Sequence, residues 1–181
     1  SSDLAWAGAA KIEKVGVGSA VKVNRGGVTL KLKEGDVLES GDELYTDPNT
    51  AVDLRLDDDS LIRIGVNSSY KVLQDSKLNS WVHRLLSGVV RVLVTPSEKD
   101  GKPGLIKFRM STPEGTIGVR GTEFVVVRSE GKTELKGLDG NVLFGSLDSD
   151  LSQTGNFVEV KRGFSSYILA GKKVSAAPEK F

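Results

Sequence analysis

The 181 residues contain no cysteine, so disulfides and thiolate metal sites are excluded outright. Histidine occurs once, at His83, which leaves little material for acid–base or imidazole chemistry. Neither sign of charge dominates. Lysine plus arginine (25) nearly cancels aspartate plus glutamate (24), for a formal net charge of +1. That balance is not the electrostatic footprint of a nucleic-acid binder, so no nucleic-acid partner is expected. Long apolar runs are missing too: none approaches the roughly 18 residues of a transmembrane helix. The opening SSDLAWAGAA has no charged region followed by an apolar one, so it is not an intact signal peptide. The expectation is that numbering begins after a removed export signal.

What is present describes one globular domain. A hydrophobic content of 38% and a charged content of 27% fit a folded chain long enough to bury a real core. Twenty-one glycines and few helix-like windows point to many short strands. Val15–Val23 and Val28–Leu32 alternate around Asn24-Arg25-Gly26-Gly27, which reads as a hairpin with a four-residue connection. Ala51–Leu56 and Ile62–Val66 alternate around the polar tip Asp57-Asp58-Asp59-Ser60. Leu73–Trp81 reads as a loop, Val89–Val94 as a strongly apolar strand, and Thr95–Gly104 and Asp148–Asn156 as loops. Short strands at this spacing indicate a sandwich, a barrel or a solenoid, and periodicity does not choose among them.

The most informative stretch is Phe108–Val127, FRMSTPEGTIGVRGTEFVVV. A strand leads in, Thr112-Pro113-Glu114-Gly115 breaks it, and Phe124–Val127 finish as a β-branched, aromatic run. Arg120 and Glu123 therefore sit in what reads as a buried double strand, where charges are costly unless paired. Two roles are open to them: a structural pair, which the burial favours, or a pocket binding a carboxylate or phosphate.

These residues resemble the signature of the FecR-type domain. The motif positions are Thr112, Pro113, Gly115, Val119, Arg120, Gly121, Thr122, Glu123 and Phe124. Upstream, GDVLESGDELYTDPNTAVDLRLDDDSLIRIG resembles the family's opening and LLSGVVRVLV its middle strand. TELKGLDGNVLF and VEVKRGFSSYIL resemble its closing strands. The resemblance implies an all-β, twisted, solenoid-like wrap, with a sandwich or barrel as the alternative. It places an N-terminal extension at 1–14, the domain at 15–169 and a tail or linker at 170–181.

Other chemistry is weakly supported. His83 has no serine in a strained glycine elbow to serve, so no catalytic residue is expected. The Asp57–Ser60 tip offers oxygen atoms to calcium, but alternation points neighbours apart and the ligand set is incomplete, so no metal or other cofactor is expected. Trp81 and Tyr70 are a sugar-stacking pair or, more commonly in β proteins, core residues.

The resemblance thus implies a non-enzymatic binding or sensing module of the bacterial periplasm or cell envelope. Its expected partner is a periplasmic or outer-membrane protein, or an envelope polymer. The alternative is a scaffold or spacer domain of a larger exported protein, binding a polymer such as peptidoglycan.

Overall fold

The computed structural model describes residues 10–18, 20–76, 80–96, 106–147, 151, 157–172 and 178–181. Most of the loops expected at Thr95–Gly104 and Asp148–Asn156, and residues 173–177 of the expected tail, lie outside these residues. The strands are β1 (Ala10–Val15), β2 (Ala20–Arg25), β3 (Val28–Lys33), β4 (Glu43–Tyr45), β5 (Val52–Leu56), β6 (Leu61–Ile64), β7 (Ser69–Asp75) and β8 (Ser80–Leu93). They continue as β9 (Phe108–Ser111), β10 (Gly115–Val119), β11 (Glu123–Ser129), β12 (Lys132–Asp139), β13 (Asn141–Ser146), β14 (Phe157–Lys161), β15 (Phe164–Leu169) and β16 (Glu179–Lys180). No described residue is helical, so the chain is all-β as expected.

β8 is the spine. Its first half pairs antiparallel with β7 and parallel with β9, and its second half pairs antiparallel with β6 and β11. It therefore belongs to two sheets. The front sheet runs β3-β2-β4-β7-β8-β9-β10-β13-β14, and the back sheet runs β1-β5-β6-β8-β11-β12-β15-β16. The strand passes from one to the other at Gly88, whose φ is 100°. A Cβ there would lie 2.1 Å from Ser68 Oγ, so glycine is required both for the backbone conformation and for the space. Ser68 fills the bend: its hydroxyl donates to the Val66 carbonyl at 3.1 Å and accepts from the Val89 N–H at 3.1 Å.

The rest of the chain hops between the sheets in hairpins. β5–β6 and β11–β12 close in the back sheet, and β9–β10 and β13–β14 close in the front sheet. The sheets face each other over one core, with Phe108 of the front 6.4 Å from Phe124 of the back, ring to ring. Alternation decides which residues enter: Val52, Leu54 and Leu56 are buried while Asp53 and Arg55 between them are not. Each fully buried Leu, Ile or Phe contributes about 1.5–3 kcal/mol relative to exposure. The pairing forms an open arrangement with free strands at its ends, and a solenoid-like winding is not apparent from it.

Two local readings change. The first hairpin closes in two residues, Gly26 and Gly27, with φ of 58° and 84°. Both central positions need φ > 0 for a turn matching strand twist, and Gly-Gly supplies that. Leu73–Trp81 is not a loop throughout, because β7 runs to Asp75 and β8 starts at Ser80. Gln74 and Asp75 lie at the open end of β7, where the strand leaves the core, and so have the polarity of a loop. β1 begins inside the stretch assigned to the N-terminal extension, with Ala10 and Ile12 fully buried against β5.

Candidate functional site

The signature builds two features, and the first is the tip of the β9–β10 hairpin. Thr112 closes it: the Thr112 N–H donates to the Gly115 carbonyl at 2.9 Å, and the Gly115 N–H returns a bond to Thr112 Oγ1 at 2.9 Å. Glu114 N–H also donates to Thr112 Oγ1, at 3.2 Å. With its lone pairs so used, the Thr112 hydroxyl has its hydrogen left for Thr133 Oγ1 at 2.7 Å, and Thr133 donates onward to Glu114 Oε1 at 3.0 Å. Gly115 is needed for close approach, since a Cβ there would lie 2.8 Å from the Phe144 ring.

Glu114 is buried and carries a charge, which requires a partner. Arg128 on β11 supplies it with a bidentate pair, Nε to Oε1 at 3.0 Å and Nη2 to Oε2 at 2.8 Å. The third arm, Nη1, donates to the Leu86 carbonyl of β8 at 3.0 Å, two residues before the Gly88 bend. The Arg128 hydrogen bonds, with help from Thr133, hold the Glu114 carboxyl below the usual carboxylate range. A hairpin of the front sheet is thus tied to β11 and β12 of the back sheet and to the strand they share.

The second feature is the crossing from β10 to β11. Val119 ends β10 in the core, Arg120 and Gly121 carry the chain across, and Glu123 starts β11. Gly121 lies against Pro96, whose Cα would be 2.9 Å from an added Cβ. The Thr122 carbonyl accepts the Val94 N–H at 2.8 Å, and Phe124 is fully buried.

The burial expected of Arg120 and Glu123 is not what the structure has. Arg120 is exposed at the crossing, because the chain leaves one sheet there before entering the other. Glu123 is half-buried on the outer face of the back sheet, where Arg91 Nε donates to its Oε1 at 2.7 Å. The two do not converge on a pocket. What the sequence reading passed over is Glu114, inside the motif, with Arg128 and Thr133. One signal was present: Arg128 shares the inward parity of Phe124 and Val126, and Thr133 that of Leu135.

The remaining candidates are structural in place. His83 is buried between the Tyr70 ring at 5.8 Å and the Phe108 ring at 5.0 Å, and burial pushes its pKa down to about 4. Its Nδ1 has no hydrogen-bond partner, and among the described residues no serine or carboxylate is bonded to the ring. Tyr70 is fully buried and Trp81 packs against the core, so neither presents a platform to a sugar. Asp58 is engaged by the Ser60 N–H at 2.9 Å and by Lys107 Nζ at 3.0 Å.

No curated protein matches the sequence. Two crystal structures of a candidate anti-sigma factor from Parabacteroides distasonis ATCC 8503, at 1.65 and 2.50 Å resolution, share the fold. Each superposes with a TM-score of 0.57 at 13% identity, over 76% of this chain and 59% of that one. The chain therefore spans less than two thirds of that relative's length. The family model for FecR protein matches residues 42–143, from the turn before β4 into β13, which is more than half of the sequence. That span holds the spine, the Gly88 bend and both features of the signature, and the chain belongs to the FecR protein family.

Proposed function

We propose that this domain is a non-enzymatic binding or sensing module of the bacterial periplasm or cell envelope, acting through a protein partner. Family membership supports a regulatory role. So does the chemistry: the buried carboxylate is neutralised by Arg128, and the single imidazole is sealed in the core. Neither is placed to transfer a proton to a substrate.

The observation that carries the reading is the free edge of β3. Among the described residues β3 pairs only with β2, whereas the outer edge of β1 is covered by residues 35–38. In a two-residue hairpin the closing pair, Arg25–Val28, exchanges both hydrogen bonds. Alternation then leaves the N–H and C=O of Thr29 and Lys31 directed away from β2, while those of Lys33 are taken by Asp36, through its Oδ2 at 2.8 Å and its N–H at 3.0 Å. Such a row is a template for an added strand.

The test is site-specific photo-crosslinking in envelope extract, with the probe at Val28 on the edge or at Val127 on the back sheet. One partner captured from Val28, absent from Val127, and abolished by Thr29→Pro supports the reading. Thr29→Pro removes an outward donor and no β2–β3 bond. No capture from either position replaces it with the scaffold or spacer role.

A further inference from the structure

We infer that the outer face of the front sheet is a binding surface for an anionic polysaccharide. The face is strongly cationic in a nearly neutral chain. Strand alternation and register place Lys22, Lys31, Lys33, Lys71, Arg84 and Arg109 on it, against Glu43 and Asp75 within the same strands. They span β3-β2-β4-β7-β8-β9, about 24 Å at ~4.8 Å per strand.

None of these cations forms an ion pair among the described residues. The back sheet differs: its outward Arg55, Arg63 and Arg91 are each paired with a carboxylate, Glu13, Asp53 and Glu123. Cations on the front are also set directly opposite one another, Lys22 across from Lys31 and Lys71 across from Arg84. Like charges in that position destabilise a sheet unless something outside compensates them. Arg84 Nε is buried without any hydrogen-bond acceptor, a donor left unmatched by the protein itself. Glu43, the nearest acid, accepts from the Tyr45 hydroxyl and makes no ion pair with Lys71 across from it.

Three features choose the polymer. Between the cations lie neutral hydrogen-bonding groups, among them Asn24, Ser69 and Ser111, which suit hydroxyl-rich chains. At one end, Tyr45, Lys22 and Lys31 line an open depression of about 380 Å³, with Asp47 on its wall. Lys22 Nζ stands 6.0 Å from the Tyr45 ring, so a flat ring and a cation share one subsite. Tyr45 is the one aromatic on this face of these strands, too few for the successive base stacking of single-stranded nucleic acid. The face also lacks the aromatic anchors of a protein interface, with Leu73 and Val82 its half-buried apolar side chains.

The experiment is calorimetric titration of the whole chain with an oligogalacturonate at low salt. Its fully methyl-esterified form, poly-glutamate and an oligo-dT of similar length are run in parallel. Binding of oligogalacturonate that falls with ionic strength, with none of the methyl ester, is expected. Lys71→Gln with Arg84→Gln is expected to weaken it by about tenfold or more, and so is Lys22→Gln with Lys31→Gln. The second pair is exposed and leaves the fold intact if the first does not. Lys132→Gln with Lys136→Gln on the back sheet removes the same charge and should change affinity by less than about twofold. Equal losses for front and back pairs, equal binding of poly-glutamate or oligo-dT, or no binding of oligogalacturonate overturns the inference. None of these outcomes bears on the β3 edge, which is read by cross-linking.

Discussion

Arg128 grips Glu114 with two arms and the Leu86 carbonyl with the third, joining a front-sheet hairpin to the back sheet at the strand they share. The pair is more than an ornament of the signature, because Glu114 is too buried to be charged alone.

Removing one partner should therefore cost more than removing both. Arg128→Leu is expected to lower stability by about 3 kcal/mol in urea unfolding, since it leaves a buried carboxylate unpaired. The Glu114→Leu and Arg128→Leu double variant should recover part of that loss, with a coupling of about 0.5–3 kcal/mol. Additive losses would mean that the two side chains act independently.

Acid should destabilise the fold in two windows. The folded-state pKa of His83 is lowered from its ordinary value to about 4, so the unfolded chain binds the proton first. The stability it contributes is fully present above pH ~6.5 and is lost as pH falls toward 4, by up to about 3 kcal/mol. Glu114 is also lowered, so its contribution is present above the ordinary carboxylate range and is lost as pH falls through it. Chemical unfolding from pH 7 to 3 should show both falls, and His83→Phe should flatten the first alone. An unchanged slope between pH 6.5 and 4 in that variant would assign the loss to another group.

Glycine at the bend should be far less replaceable than glycine in a turn. Gly88→Ala meets both a φ of 100° and the Ser68 side chain, and is expected to cost at least about 3 kcal/mol. Gly163→Ala has a similar φ of 83° with open space around it, and about 1 kcal/mol is expected. Thermal melts of the two variants compare them directly, and equal shifts would show that the Ser68 contact relaxes freely.

Arg120→Ala should leave the melting temperature within a degree or so, because the side chain is exposed and makes no ion pair among the described residues. Glu123→Ala is expected to lose about 0.2–1 kcal/mol through its partly exposed pair with Arg91. A drop of several degrees for Arg120→Ala would restore to it the structural role that burial implied.

The turns were legible because their residues carry the conformation locally. Gly26-Gly27 falls between β2 and β3 and Asp57–Ser60 between β5 and β6, with positive φ at Gly26, Gly27 and Asp59. Arg120 was misjudged for a physical reason. A crossing between two sheets and a buried double strand have the same apolar flanks, so alternation alone does not tell them apart. Likewise, the polar end of β7, Gln74 and Asp75, has the composition of a loop although it pairs with β8.

The sequence by itself determined an all-β chain, its family and most of its turns, since these depend on alternation, glycine and a contiguous motif. Tertiary structure decided the rest. That β8 serves two sheets, that Glu114 meets Arg128, and that the free cations share one face all depend on register between strands distant in sequence. Register is set by which faces bury together, and only the assembled core specifies that.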